Sequence, residues 1–351
     1  HGIGRRQRQM CIRDSGLADR TAGNPRYGEQ LLQAWLAEGR LELGPGGSRI
    51  RGLGRDPHTL PSFAAAWRER MEQALAPLPP AQQHHIERAA VLGIAVDCAE
   101  WARACGLSQP PEDTRQHMVS ALIWRPDTPE TVRFVHAQLR EALLDRARQG
   151  GRLVDHHRAA AAAIDEAGQH APYRIAHHLL RAGDADAALR RMPAVTTSQP
   201  SWHHGDVLLA GIRHVLASAG TPPHDIRWGE VGFYRVRFLI IAHRRAEAQA
   251  LLRQLEADAV AHSWSSLEPQ LLLLQARIAR RLHQPEVAIQ ANERLRALYE
   301  QRGEIEKVAD CEASIGRILL EEGRREEALQ LLEQARSRVG LSGDKLLESL
   351  V

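Results

Sequence analysis

Aromatic residues make up only 4% of the 351 residues, and alternating runs rich in Val and Ile are scarce. That poverty excludes an architecture built mainly on sheets, whose faces are filled by β-branched and aromatic side chains. Cysteine is equally thin. Cys11, Cys98, Cys105 and Cys311 form no CxxC pair and no regular framework, so a disulfide scaffold is not expected and a reducing cytoplasm is. Cys98 and Cys105, seven apart, fit one helix face as small core residues. No run reaches the roughly 18 uninterrupted apolar residues of a membrane span, and the arginine-rich beginning lacks the apolar stretch of a secretory signal. Lysine occurs only at Lys307 and Lys345; the basic charge is otherwise arginine, interleaved with Glu and Asp to a net of +3. This describes a salt-bridged helix surface rather than a nucleic-acid patch, so neither membrane nor direct nucleic-acid contact is expected. GxxxxGK[ST], GxSxG, HExxH and a kinase catalytic loop are all missing, so no complete catalytic centre is visible.

What the chain has in abundance is Ala, Leu, Arg, Glu and Gln, the straight-chain residues that lose least on entering a helix. Apolar spacing predicts a helix over 27–38, two short extended pieces around the Gly-Pro-Gly-Gly turn of "GRLELGPGGSRIRG", and helices in "LPSFAAAWRERMEQAL" and "AQQHHIERAAVLG", the latter closed by Gly93. Asp97 is placed to cap "CAEWARACG", and Pro111 to open "PEDTRQHMVSALI". "IWRPDTPETVRFVH" is the best hairpin signal: IWR and TVRFV joined by a Pro-Asp-rich turn. Helices resume with "AQLREALLDRARQ". The segment around "TTSQPSWHHGDV" has no clear assignment.

A repeat then emerges. "HRRAEAQALLRQLEA" starts at His243, "HQPEVAIQANERLRA" at His283 and "GRREEALQLLEQARS" at Gly323, each 40 residues after the last and each with an alanine five places on: Ala248, Ala288 and Ala328. "GDADAALRRM" from Gly183 offers Ala188 at the same offset. A small residue fixed in each unit lets two helices approach closely, and helical units of this kind must stack to bury their faces. The last copy resembles a tetratricopeptide repeat, with Gly316, Leu319, Ala328 and Leu332 at matching places. Because 40 exceeds that family's usual 34, extended inter-helix loops are expected. Histidine pairs occur at His84–His85, His156–His157, His177–His178 and His203–His204. Neighbours on a helix point about 100° apart and cannot share one metal, so these are expected on the surface, with no metal site.

"GNPRYGEQLLQAWLAEGRL" and "RFVHAQLREALLDRA", with the ordered Leu-Pro, helix, Leu-Pro-Pro, helix, Ala-Val-Leu-Gly sequence between them, resemble segments of AAA-related signal-transduction ATPases of the STAND group. Members of that group occur in bacterial multidomain regulators, often beside protein kinase, cyclase or DNA-binding domains. The resemblance runs from about Ala22 to Ala167 and implies a mainly α fold: a helical lid over 17–93, a winged-helix domain over 94–150 and a tetratricopeptide-like solenoid over 151–351, after a non-native or disordered leader at 1–16. The leader's "RRQRQMCIRDS" resembles a peptide found on proteins from contaminated assemblies, and both chain ends look cut.

The resemblance further implies that Gly23, Asn24 and Pro25 open the lid with the proline against a nucleotide base, and that His136 reaches the diphosphate of bound ADP. Arg26 departs from the family, which has a second apolar residue there. ATP or ADP is expected only together with an upstream P-loop domain, and none for this chain alone. The expected partners are that NTPase domain and a protein or peptide on the solenoid. The alternative reading is a nucleotide-independent repeat scaffold. A DNA-binding winged helix is a third, poorly served by "PEDTRQHMVSALI", with one arginine and two acids.

Overall fold

The computed structural model describes residues 41–44, 47–50, 63–168, 171–198 and 202–339. The helix expected over 27–38 lies outside them. The chain divides into two compact units, His1–Leu153 and Val154–Val351.

In the first unit β1 (Leu41–Gly44) and β2 (Gly47–Ile50) pair antiparallel across the Gly-Pro-Gly-Gly turn, as the sequence predicts. Helices α1 (Phe63–Leu75) and α2 (Pro80–Leu92) follow, α2 opened by Pro80 and closed at Gly93. Then come β3 (Ala95–Asp97), α3 (Cys98–Ala104), α4 (Glu112–Ser120), β4 (Trp124–Thr128), β5 (Thr131–Phe134) and α5 (Ala137–Gln149). Asp97 caps α3 as expected, accepting from the Glu100 amide at 2.8 Å. The three strands form an antiparallel sheet in the order β3-β5-β4, so the predicted hairpin gains a third strand. Strand β3 is only three residues long and carries no alternation that could announce it. The core joins sheet to helices: Trp101 meets Trp124 edge-on at 5.1 Å, Trp124 meets Phe134 at 5.7 Å, and Ile86, Met118, Ile123, Val132, Leu139 and Leu143 are fully buried around them. Helix α5 packs on both α1 and α2.

The second unit is entirely helical among the described residues: α6 (Leu153–Glu166), α7 (Pro172–Arg181), α8 (Ala185–Thr197), α9 (Trp202–Ser218), α10 (Ile226–Ile241), α11 (Arg245–Ala261), α12 (Glu268–Arg281), α13 (Pro285–Gln301), α14 (Ile305–Glu321) and α15 (Arg325–Val339). Four hairpins repeat one design, each an A helix, a three-residue turn and a B helix: α7–α8, α10–α11, α12–α13 and α14–α15. In every turn the middle residue is left-handed, Gly183, His243, His283 or Gly323, with φ of 79°, 58°, 55° and 78°. The next amide reaches back to the carbonyl five residues earlier: Asp184 to Leu179 at 3.0 Å, and Arg244 to Leu239, Gln284 to Ala279 and Arg324 to Leu319 at 2.9 Å. The repeating alanines Ala188, Ala248, Ala288 and Ala328 are all 0% exposed, the close approach anticipated from their spacing. Gly316 serves the same end, since a Cβ there would lie 2.8 Å from Leu332 Cγ. The architecture is a tetratricopeptide-like solenoid, and the protein is mainly α.

Within the three 40-residue copies, from His243 to Val339, the extended loops expected from the period are found once. The connection from α11 to α12 has six residues and includes the short 3-10 turn Ser265–Leu267, whereas α13 passes to α14 through Arg302, Gly303 and Glu304 alone. The three residues absent there are taken up in the A helix, 17 residues long in α14 against 14 in α12. Helical residues satisfy their own backbone hydrogen bonds and add buried apolar surface, which loop residues do not. Helix α9 begins within the stretch the sequence left unassigned and buries Leu208, Leu209, Ile212 and Leu216.

Candidate functional site

His136 sits where β5 gives way to α5. Its backbone is still extended (φ −140°, ψ 141°), and its Nδ1 accepts the Gln138 amide at 3.1 Å, so the imidazole is the N-cap of the helix. The ring lies flat on the indole of Trp67, centroids 4.8 Å apart and planes 7° from parallel, and is 7% exposed. Burial holds its pKa below the ordinary 6.5. A neutral ring accepting at Nδ1 carries its proton on Nε2, so the cap fixes the tautomer. The start of α5 adds the positive end of a helix dipole, although the Gln138 amide is engaged by the cap and the Leu139 amide by the His136 carbonyl at 3.2 Å. Gly23, Asn24 and Pro25 lie outside the described residues.

Two features of the first unit were not legible in the sequence. One is Trp67 itself. The other is Glu87, fully buried on α2, which takes Arg146 of α5 and two hydrogen bonds from Arg152, Nε at 2.9 Å and Nη2 at 2.8 Å. Gln83, one turn earlier, receives Arg146 as well. An acid inside the apolar stripe Ile86-Ala89-Ala90 was the available signal, but its partners are about 60 residues downstream. This network clamps α2 to the C-terminal end of α5.

The expectation of surface histidines is overturned in the second unit. His156, His157 and His178 are 3%, 7% and 5% exposed. Nδ1 of His157 lies 3.0 Å from Nδ1 of His178, an imidazole pair in which one ring donates and the other accepts. The pair links α6 to α7, and spacing along one helix could not have revealed a partner on the next. Among the described residues no group of three or more potential metal ligands occurs.

Besides a cleft of about 300 Å³ lined by Gly183, Val215 and Arg227 among others, two larger ones open among the described residues of the second unit. One, of about 490 Å³, lies beside the six-residue α11–α12 connection and is lined by Glu256, Trp264, Glu268 and Arg294 among others. The other, of about 580 Å³, is bordered by Asp186, Arg190, Asp225, Arg227 and Tyr234. In it Arg227 hydrogen-bonds Asp225 and Asp186, and its contact holds the Asp225 carboxyl down to about 2. Those groups satisfy one another. Among the described residues no helix is long and apolar enough to cross a membrane.

No family model matches the chain, and no curated protein does. Among solved structures it is similar to a Podosopora anserina protein described as a kinesin light chain with nearly identical TPR-like repeats, at 20% identity, over 57% of this chain and 92% of that one, with a TM-score of 0.33. It is also similar to a Signal Transduction ATPase with Numerous Domains (STAND) protein with a tetratricopeptide repeat sensor from Pyrococcus horikoshii, at 11% identity, over 83% of this chain and 48% of that one, with a TM-score of 0.38. The chain thus spans about half the length of the STAND protein.

Proposed function

We propose that the protein is the partner-sensing and switching part of a larger regulator, its helical repeats binding a protein or peptide. The observation that carries this reading is the series of A–B hairpins with a common turn and a common buried alanine, a design that presents successive A helices side by side as one extended surface. The first unit, in this reading, is the lid and winged-helix portion of an ATP/ADP switch whose P-loop domain lies upstream, with Gly23, Asn24 and Pro25 at the base and His136 at the diphosphate. Supporting it are the β4–β5 hairpin set among short helices over 94–150 and the placing of His136 at a helix start. A ligand moves such a switch only by contacting its two states differently, and His136 would supply that difference by exchanging its present contacts for one to the diphosphate. Joined to its NTPase domain, the His136→Ala protein is expected to release ADP about tenfold faster and to show higher basal output. Unchanged ADP release would overturn the switch.

A second reading, a nucleotide-independent scaffold, is favoured by the same residue's surroundings. His136 is already occupied as a helix cap and stacked on Trp67, enough to explain a histidine there on structural grounds alone. Under it, His136→Ala destabilises the first unit and leaves nucleotide exchange untouched.

A further inference from the structure

Six residues before the left-handed turn of each of the last three hairpins, the A helix carries an arginine: Arg237 on α10, Arg277 on α12 and Arg317 on α14. Around them the A helices vary freely, reading VGFYRVRFL, LLLLQARIA and CEASIGRIL in the same register. The three arginines therefore occupy one position of the repeat, on neighbouring helices: α10 packs on α12, and Arg280 of α12 reaches Glu321 of α14 at 3.9 Å. Arg277 and Arg317 are exposed and Arg237 is half-buried, its guanidinium 5.8 Å from the centre of the Phe233 ring. Among the described residues none of the three has a carboxylate within ion-pairing distance, whereas Arg244 and Arg324 in the turns are both paired, with Glu247 and Glu327. Burial holds Arg237 below the usual arginine range; Tyr234 opposes this, and the neighbouring charge of Arg277 adds a smaller push downward. Exposed Ile241, Leu273 and Leu320 give the same helices apolar surface.

We propose that Arg237, Arg277 and Arg317 form a docking row for an extended acidic segment of a protein partner, with one carboxylate for about every third residue. The period follows from geometry. Packed helices lie about 8–10 Å apart, and a chain in the extended polyproline-II conformation advances about 3.1 Å per residue with three residues per turn, so side chains at i, i+3 and i+6 share one face and meet successive guanidiniums. Each guanidinium can take a carboxylate through two parallel hydrogen bonds, relieving the repulsion within the row. A nucleic acid fits less well. One strand carries a charge about every 3.4 Å along its axis, far denser than the row.

The inference rests on the partner-binding reading of the repeats, and the test separates the two. Binding to the full chain is measured by fluorescence anisotropy with a labelled heptapeptide Glu-Gly-Ser-Glu-Gly-Ser-Glu, an isomer with its three glutamates adjacent, the lysine counterpart, an apolar heptapeptide and a ten-nucleotide oligo-dT. The spaced peptide should bind at least tenfold tighter than the lysine peptide and several-fold tighter than the adjacent isomer. Arg277→Gln should weaken it about fivefold and Arg277→Lys less, while the triple R237Q/R277Q/R317Q loses at least fiftyfold with its helical circular dichroism retained. Equal binding to the wild type and the triple variant, or a preference for oligo-dT, overturns the row. If the apolar or lysine peptide alone binds, the row falls and the partner-binding surface stands; if no peptide binds, both fall.

Discussion

His243 and His283 occupy the left-handed turn position that Gly183 and Gly323 fill in the equivalent hairpins. A side chain in that conformation costs about 1–2 kcal/mol, less whatever glycine loses by its greater freedom in the unfolded chain. Both histidines are exposed, so replacing them sacrifices little contact. His283→Gly is expected to stabilise the protein by about 0.5–1 kcal/mol, and Gly323→Ala to destabilise it by about 1 kcal/mol, read as opposite shifts of the urea midpoint. His136 yields a second prediction at this scale. Burial lowers its folded pKa below 6.5, and burial also lowers that of His85, so both rings resist protonation more in the folded than in the unfolded chain. The unfolded chain then binds more protons as pH falls below about 6.5, and stability contributed by the neutral rings, complete above that value, declines on acidification. Urea midpoints should fall between about pH 7 and pH 5. His136→Asn, which keeps a capping oxygen, should flatten that dependence; an equally steep fall in the variant would refute the assignment.

Between elements, the hairpins depend on small residues and the first unit on a buried charge. Ala288, 0% exposed, packs with Ala279 and Ile318 from the two flanking A helices. A larger side chain there has no space, and Ala288→Leu is expected to cost about 1–3 kcal/mol, while Ala246→Leu on the exposed side of α11 costs almost nothing. In the first unit, Glu87→Ala strips Arg146 and Arg152 of their common partner. Removing one member of a fully buried pair costs about 3–5 kcal/mol, but these arginines are 25% and 30% exposed and recover part of their hydration, so about 2–3 kcal/mol is expected. Chemical denaturation measures both. A change under about 0.5 kcal/mol in Glu87→Ala would show that the clamp between α2 and α5 contributes nothing to stability.

Across the whole molecule, the two units hold their cores differently. The first gathers distant segments around Trp101 and Trp124, while in the second each hairpin contacts chiefly its neighbours. Stability in such an array is shared locally, so damage spreads along it and fades. In Ala288→Leu, hydrogen exchange should quicken most in α12–α15, less in α10–α11, and remain unchanged in the sheet of the first unit. Uniform acceleration across both units would contradict the division.

The repeat was legible because it rests on local chemistry recurring at a fixed interval: a turn residue tolerant of positive φ and an alanine five places later. The caps at Asp97 and Pro111 and the 124–134 hairpin were legible for the same reason, since each is decided within a few residues. Chain-distant pairing was hidden. No local pattern could stack Trp67 on His136, seat Glu87 between Arg146 and Arg152, or turn His157 and His178, read as surface residues, into a buried pair. Periodicity set the length of the 40-residue unit but not how loop and helix divide it, because that division depends on the neighbouring helix against which the extra turn is buried. The order of residues alone was enough to specify a helical repeat with its turns and its small-residue contacts. Only the tertiary structure decided which polar groups left water and whom they met there, since a buried charge or ring is stable only beside a partner that folding brings to it.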